Sequence, residues 1–111
     1  MAARGSMLPA LILAALEDGP AHGYLVARRV EENSDGQLGL HEGSLYPVLH
    51  ALEERGLVQA TLEAQGERSR RVYQLTEAGH RLLKQEREAW RGYAAAVERA
   101  LFPKEVSHAT A

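Results

Sequence analysis

Apolar residues recur every three or four positions through the first half of the chain, which is the spacing of one face of an α-helix. The first such stretch has Ser6 as a suitable N-cap and continues to Leu16. Asp18-Gly19-Pro20 ends it, because glycine closes helices and proline cannot continue them. A second helix is predicted from about Gly23 to Asn33. Its buried face would consist of Tyr24, Ala27 and Val30.

The third predicted helix has the clearest signals. Ser44 is its expected cap, and Pro47 would fall in its first turn, where the missing N–H costs little. Its buried stripe has the spacing i, i+3, i+4, i+7 and consists of Leu45, Val48, Leu49 and Leu52. Gly56 ends the helix, and Leu57 can fold back on the stripe in a Schellman closure.

After Gly56 the apolar period changes from helical to two, which indicates β-structure. Val58, Ala60 and Leu62 alternate with polar residues and predict an antiparallel strand with one solvated face. A polar turn is expected over residues 64–69, followed by a returning strand over 70–75. The turn and the returning strand carry three arginines: Arg68, Arg70 and Arg71.

A final helix is predicted from Glu77 to Leu101, with Thr76 as its cap and Pro103 limiting its extension. Its length of about 37 Å exceeds that of the small domain before it. One heptad seam contains Leu83, Trp90 and Val97, and the other contains Glu86, Tyr93 and Ala100. This pattern indicates a helix whose far half packs on a partner.

Composition places the chain among single globular domains. The chain is 45% hydrophobic and 25% charged, which is average for a folded protein. Its 111 residues are too few to form two separate cores. The lack of cysteine excludes disulfide scaffolds, thiol nucleophiles and cysteine-ligated zinc. No apolar run approaches the roughly 20 residues that span a bilayer, and residues 7–16 lack the flanks of a signal peptide. We therefore expect a cytoplasmic protein without membrane contact.

Catalysis has no support in the sequence. The histidines, which show no metal-ligand spacing, are His22, His41, His50, His80 and His108. There is no Ser-His-acid set and no glycine-rich phosphate loop. Neither enzyme activity nor a cofactor is expected.

The order of elements favours DNA binding. Three helices followed by a hairpin form a winged helix-turn-helix, whose third helix enters the major groove. The outward face of that helix near its start carries Ser44, Tyr46, Pro47 and His50. The arginines of the hairpin suit phosphates or the adjacent minor groove. The net charge of -2 opposes indiscriminate coating of nucleic acid but allows a local basic patch.

Four segments carry a family resemblance: His22-Gly23-Tyr24, Gly43-Ser44-Leu45-Tyr46-Pro47-Val48-Leu49, Leu52-Glu53-Glu54-Arg55-Gly56-Leu57-Val58 and Tyr73-Gln74-Leu75-Thr76-Glu77-Ala78-Gly79. They resemble the PadR family of bacterial transcriptional regulators, and the resemblance covers about residues 7–102. It implies a homodimer that binds operator DNA, usually as a repressor, in a short form with one C-terminal helix. Ser44 stands where threonine is common in the family, and Gln74 where tyrosine or arginine is frequent.

The resemblance also bears on Trp90, the only tryptophan. Tryptophan often anchors interfaces. Some short-form relatives bind planar hydrophobic effectors between paired C-terminal helices, stacked on an aromatic residue. The residues expected at the dimer interface or at an effector are Leu83, Trp90, Tyr93 and Val97.

These observations predict a mainly α fold with a small antiparallel β-wing. Residues 1–76 would form the winged helix-turn-helix domain, continuous with a dimerisation helix over 77–102 and a disordered tail over 103–111. The expected function is sequence-specific binding of double-stranded operator DNA. One alternative is a winged-helix protein-interaction module without DNA binding, favoured by the net charge and by four acidic residues near the expected DNA face: Glu42, Glu53, Glu54 and Glu67. Another is a regulator of a different winged-helix family.

Overall fold

The computed structural model describes residues 7–104, apart from the side chain of Glu42. Three helices come first, α1 (Leu8–Leu16), α2 (Gly23–Asn33) and α3 (Glu42–Glu54). Strands β1 (Val58–Gln65) and β2 (Arg68–Leu75) then form an antiparallel hairpin, and α4 (Glu77–Leu101) follows. The prediction of a mainly α fold with a small β-wing and a long C-terminal helix is confirmed.

The first two helices differ from the predictions in two details. Met7 occupies the N-cap position of α1 without a side-chain cap hydrogen bond, whereas Ser6 lies outside the described residues. Tyr24 is 54% exposed, so its predicted place on the buried face of α2 is wrong. The buried residues of α2 are Gly23, Val26 and Val30. The helix turns this face inward because α2 and α3 approach each other closely at Gly23.

Helix α3 begins earlier than the predicted cap. His41 occupies the N-cap position, and its carbonyl oxygen accepts the N–H groups of Ser44 at 3.0 Å and Leu45 at 3.1 Å. The first turn is therefore closed before Ser44, which is the third residue of the helix and not its cap. Pro47 lies inside the helix rather than in its first turn. Because proline has no N–H, the carbonyl of Gly43 receives no helical hydrogen bond from position 47.

The predicted stripe and closure of α3 are confirmed. Leu45, Leu49 and Leu52 are fully buried in the core shared by the helices and the base of the hairpin, and Val48 is half-buried. At the end of the helix, Leu57 N donates to Leu52 O at 2.9 Å, and Gly56 N donates to Glu53 O at 3.0 Å. These two bonds form a Schellman motif, and the φ of +74° at Gly56 is the left-handed conformation that the motif requires.

A compact junction joins the end of α3, the hairpin and the start of α4. The Thr76 hydroxyl donates to Gly56 O at 2.7 Å and accepts the N–H of Gly79 at 3.1 Å, so one side chain contacts two elements. Thr76 N also donates to Leu57 O at 3.2 Å. A Cβ at position 79 would collide with that same carbonyl oxygen. Only glycine at position 79 allows α4 to start this close to Leu57.

Arg29 closes the C-terminal end of α1 from the neighbouring helix. Its Nη1 donates to Ala15 O at 3.0 Å and to Gly19 O at 2.7 Å. Carbonyl groups at the C-terminal end of a helix have no hydrogen-bond partner within that helix, and the guanidinium supplies one. Its positive charge also interacts favourably with the negative end of the helix dipole. Arg29 thereby fixes the geometry between α1 and α2.

Helix α4 is packed over its first half only. Leu83 is 2% exposed and belongs to the protomer's own core, and its predicted place at a dimer interface or an effector remains a prediction. The Arg87 guanidinium makes two hydrogen bonds to the Glu17 carboxylate, at 2.8 and 3.2 Å, and holds the helix to the end of α1. This contact keeps the pKa of Glu17 below its usual range. Beyond it the helix extends away from the core, and the described chain measures 65 × 28 × 21 Å.

The chain after α4 is described as far as Lys104. Pro103 and Lys104 are helical, and the rest of the predicted tail, residues 105–111, lies outside the described part. Within residues 7–104, no helix is both long enough and apolar enough to cross a membrane.

The junction predicts opposite effects for two alanine substitutions in the same helix. Gly79→Ala should lower the free energy of unfolding by roughly 2 kcal/mol or more, since backbone must move to relieve the clash with Leu57 O. Gly92→Ala, which meets open space, should raise it by roughly 0.5–1 kcal/mol because alanine favours the helix. Urea denaturation at one protein concentration measures both. Equal effects of the two substitutions would contradict the role assigned to Gly79.

Candidate nucleic-acid interface

The exposed face of α3 contains all four of its predicted contact residues. Ser44, Pro47 and His50 are exposed, and Tyr46 is 37% exposed. They lie opposite the buried leucines, so the expected outward orientation is confirmed. Their contact with DNA remains a prediction.

Tyr46 is held in place by the start of α2. A Cβ built on Gly23 would lie 2.6 Å from the Tyr46 Oη and 2.8 Å from its Cε1. No real side chain tolerates such distances, so the ring rests directly on the Gly23 backbone. The contact fixes the position of Tyr46 between the two helices while leaving part of the ring open to solvent.

The start of α2 adds two aromatic residues to this surface. His22 is the N-cap of α2, and its Nδ1 accepts the N–H of Leu25 at 3.4 Å. The His22 ring stacks on Tyr24, with centroids 6.3 Å apart and an angle of 8° between the planes. A helix start presents backbone N–H groups that favour anions. Neither residue was predicted as a contact residue, although the His-Gly-Tyr segment contributed to the family resemblance.

The electrostatics of His22 connect this helix start to the hairpin. Burial lowers the pKa of His22, and the Arg70 guanidinium lowers it further, while Glu63 acts in the opposite direction. Both Arg70 and Glu63 belong to the hairpin, where they face each other across the strands with an ion pair of 3.9 Å. The start of α2 at His22 therefore lies within electrostatic reach of both hairpin charges.

The hairpin is longer and its turn shorter than predicted. The strands pair up to Gln65 opposite Arg68, which leaves a two-residue turn of Gly66 and Glu67 in place of the predicted turn over 64–69. Gly66 has a φ of +66°, which a two-residue hairpin turn requires and glycine supplies without strain. Both arms therefore keep an extended, paired backbone out to the turn, although their outer side chains are solvated. Leu62, for example, is 68% exposed.

Pairing in the strands separates the three arginines. Successive residues of a strand point to opposite faces, so Arg68 and Arg70 share one face and Arg71 lies on the other. Arg68 is exposed and makes no ion pair within the described residues. Arg71 contacts the Glu53 carboxylate of α3 at 2.8 and 3.0 Å. The three arginines therefore do not share one face, and the contact of each with DNA remains a prediction.

A second exposed surface lies on the far half of α4. The distal surface of α4, defined by Trp90, Tyr93, Val97, Leu101 and Phe102, includes a groove of about 250 Å³. Trp90 and Tyr93 are in ring contact, with centroids 6.0 Å apart. Trp90 also borders a second groove of about 240 Å³ between α1 and α4. Trp90 thus lies where the packed half of the helix meets the unpacked half.

Metal binding finds no support in the part of the chain that the structure describes. There, no three histidine or acidic side chains are close enough together to hold an ion.

Sequence comparisons identify one family. Residues 12–85 match the sequence profile of the family described as the transcriptional regulator PadR-like family. The transcriptional regulator Rv3488 of Mycobacterium tuberculosis is 36% identical over 72 residues, and a 37.1 kDa protein in transposon TN4556 of Streptomyces fradiae is 40% identical over 98 residues. The aligned parts cover 65% and 88% of this chain, respectively. The chain spans 64% of the length of the first relative and 27% of the second.

Solved structures agree with the sequence comparison. A PadR family transcription regulator from Clostridium difficile superposes with a TM-score of 0.75 at 26% identity, covering 86% of this chain and 99% of the other. The structure of Bacillus subtilis PadR in complex with operator DNA gives a TM-score of 0.67 at 25% identity, covering 72% of this chain and 46% of the other.

The position of Arg70 beside His22 predicts a selective pKa change. Arg70→Ala should raise the pKa of His22 toward its ordinary value of about 6.5, because a nearby cation disfavours the charged imidazole. Arg68→Ala, on the same strand face, should leave it unchanged. NMR titration of the imidazole signals measures both variants, and an equal response to the two would contradict the placement of Arg70.

The same shift fixes a sign for stability. Because the pKa of His22 is lower in the folded than in the unfolded protein, the free energy of unfolding should be highest, as far as this group is concerned, above about pH 6.5. It should decrease as the pH falls from there through the lower pKa of the folded state.

Proposed function

Because the chain belongs to the PadR-like family of transcriptional regulators, which is not a family of enzymes, we propose that it binds operator DNA as a homodimer and represses the adjacent genes. One observation carries the proposal. The exposed start of α3 contacts the start of α2 at Gly23, and His22 beside that contact is within electrostatic reach of Arg70 on the hairpin. The complex of Bacillus subtilis PadR with operator DNA supports DNA as the partner.

Helix α3 is assigned the selection of sequence. Its exposed residues Ser44, Tyr46, Pro47 and His50 would enter the major groove, where base edges differ between all four base pairs. Tyr46 and His50 are one turn apart and carry the polar groups suited to base edges or phosphates. The firm seat of Tyr46 on Gly23 supports this role, because a fixed side chain loses little conformational entropy on binding.

The hairpin and the start of α2 are assigned affinity rather than selection. Arg68 is exposed and without an ion pair in the described residues, and Arg70 has only the long contact with Glu63. Cations of this kind mostly meet phosphates. The His22–Tyr24 pair at the helix start is within electrostatic reach of Arg70 and would contact the same stretch of DNA backbone.

The distal surface of α4 is assigned to the dimer. Trp90 is 43% exposed and Val97 is 36% exposed, and Leu101 and Phe102 extend the apolar strip along the helix. A second copy placed there would bury this strip and hold two recognition helices at a fixed distance. Two half-sites of an operator require a spacing of about one helical turn of DNA.

A small planar hydrophobic effector is a further part of the proposal. Trp90 borders two grooves of about 240 and 250 Å³, and its indole would provide a stacking surface. Since Trp90 is the only tryptophan, its fluorescence reports directly on such binding. Titration with planar aromatic compounds that leaves this fluorescence unchanged would refute the effector.

The competing function is a winged-helix protein-interaction module without DNA. A gel-shift assay with the duplex immediately upstream of the gene, and with a shuffled duplex of the same composition, separates the two. Under the proposal, binding favours the upstream duplex and decreases steeply with salt. Failure to bind either duplex at low salt would favour the interaction module.

The hairpin predicts a defined change in salt dependence. Replacing Arg68 and Arg70 by alanine should weaken binding to both duplexes alike and reduce the slope of log K against log salt by about 0.9 for each lost phosphate contact. Fluorescence anisotropy over a salt series measures the slope.

His50→Ala is the matched control for this prediction. It should keep the salt slope and lose preference for the upstream duplex, because a base contact is worth about 1–3 kcal/mol of discrimination. An unchanged slope in the double arginine variant would show that these side chains do not meet phosphates.

The distal surface of α4 predicts coupled losses. Trp90→Ala should raise the dissociation constant of the dimer by about tenfold or more, as expected for a central aromatic anchor. Operator affinity should fall with it. Analytical ultracentrifugation and anisotropy measure the two effects.

Two further variants complete this test. Val97→Asp on the distal surface lies beyond the protomer's core and should give the same coupled loss. Glu88→Ala is exposed on another side of α4 and should give neither effect. A fully dimeric Trp90→Ala protein with unchanged operator affinity would contradict the assignment.

A further inference from the structure

The hairpin loses its packing against the helices between Tyr73 and Arg71, which lie two residues apart on the same face of β2. Tyr73 is fully buried, and its backbone exchanges two hydrogen bonds of 2.9 Å with Ala21. Two residues farther out on the same face, Arg71 pairs with Leu62, which is 68% exposed. The base of the hairpin is therefore fixed by the core, while its outer half extends into solvent.

Arg71 connects this outer half to α3. Its Nη2 donates to both carboxylate oxygens of Glu53, at 2.8 and 3.0 Å. The guanidinium lies 5.9 Å from the centre of the Tyr73 ring, which limits its freedom on the inner side. Glu53 is on the last turn of α3, three residues after His50. The helix assigned to sequence selection thus also holds the hairpin.

We propose that Arg71 and Glu53 form a clamp that sets the angle of the hairpin relative to α3, and that Arg71 is a positioning residue rather than a DNA contact. The proposal rests on the proposed function and deepens it. A hairpin already held at the correct angle to α3 lets Arg68 and Arg70 meet the phosphates flanking the groove without the entropic cost of ordering the hairpin on binding. The carboxylate of Glu53, near the DNA surface, therefore favours binding despite its negative charge, and its loss weakens binding without changing the number of phosphate contacts.

The two roles for Arg71 predict opposite effects of Glu53→Gln. If Arg71 is a DNA contact, removal of the carboxylate frees a cation for phosphate, and both the affinity and the salt slope rise. If Arg71 and Glu53 form the clamp, the hairpin loses its fixed angle, and the affinity for the upstream duplex falls about two- to fivefold. That range is the fold-change expected from an exposed ion pair.

The first experiment compares variants of the whole 111-residue chain on the upstream and shuffled duplexes over a salt series. We expect Glu53→Gln and Arg71→Ala to weaken binding by similar factors, with the slope of wild type. Arg68→Ala, the matched control, should weaken binding and lower the slope by about 0.9. Tighter binding by Glu53→Gln, or a loss of slope in Arg71→Ala, would overturn the clamp.

The second experiment needs no DNA, so it separates failure of the clamp from failure of the proposed function. NMR relaxation gives order parameters for the backbone amides of the hairpin. Glu53→Gln and Arg71→Ala should lower them for residues 61–71 and leave α1 and α2 unchanged, whereas Arg68→Ala should alter neither. Unchanged order in the first two variants would overturn the clamp. If both variants lose order as expected but the wild-type protein binds neither duplex, the clamp stands and the proposed function is refuted.

Reversal of the pair gives a rescue test. Arg71→Glu places two carboxylates together and should lower both the order parameters and the affinity. The double variant with Glu53→Arg restores an ion pair of opposite polarity and should recover the order of residues 61–71 and most of the affinity. Recovery of neither would contradict the clamp.

Discussion

The close contact between α4 and the carbonyl of Leu57 is the constraint on which the architecture depends. Leu57 follows the Schellman closure of α3, its carbonyl accepts the N–H of Thr76, and the missing side chain of Gly79 lets α4 begin directly above it. One carbonyl thus joins α3, the base of the hairpin and α4. In the proposed dimer, the spacing of the two DNA-binding surfaces is transmitted through this point, because α4 carries the partner contact and α3 the DNA contact.

Local patterns were sufficient to predict the elements and most of their ends. The bounds of α2 and α4, the leucine stripe of α3 and its glycine closure all follow from interactions within a few residues of sequence. The errors arise where a distant residue decides. Ser44 has the character of a cap, but the carbonyl of His41 closes the first turn before it. The position of Gly23 against Tyr46 turns Tyr24 outward, and no periodicity within α2 contains that information.

The candidate interface was predictable in part for the same reason. The outward residues of α3 follow from the position of its buried stripe. The separation of Arg71 from Arg68 and Arg70 depends on the alternation of a strand whose extent was underestimated, and the partner of Arg71 lies 18 residues away in sequence. The burial of Leu83 within the protomer also has no local signal, because a heptad seam does not reveal which of its members the protomer covers itself. The role of Arg29 left no local signal, since the carbonyls that it satisfies belong to another helix.

The contact of Tyr46 with bare backbone has a consequence for how such a surface can change. Any side chain at position 23 would occupy space that the ring now fills, so the ring would have to move outward or sideways. The position of the Tyr46 ring is therefore fixed by the Gly23 backbone, which need not contact DNA itself. Substitution at position 23 is a route by which a descendant of this protein could acquire a different target while every exposed residue of α3 stays the same.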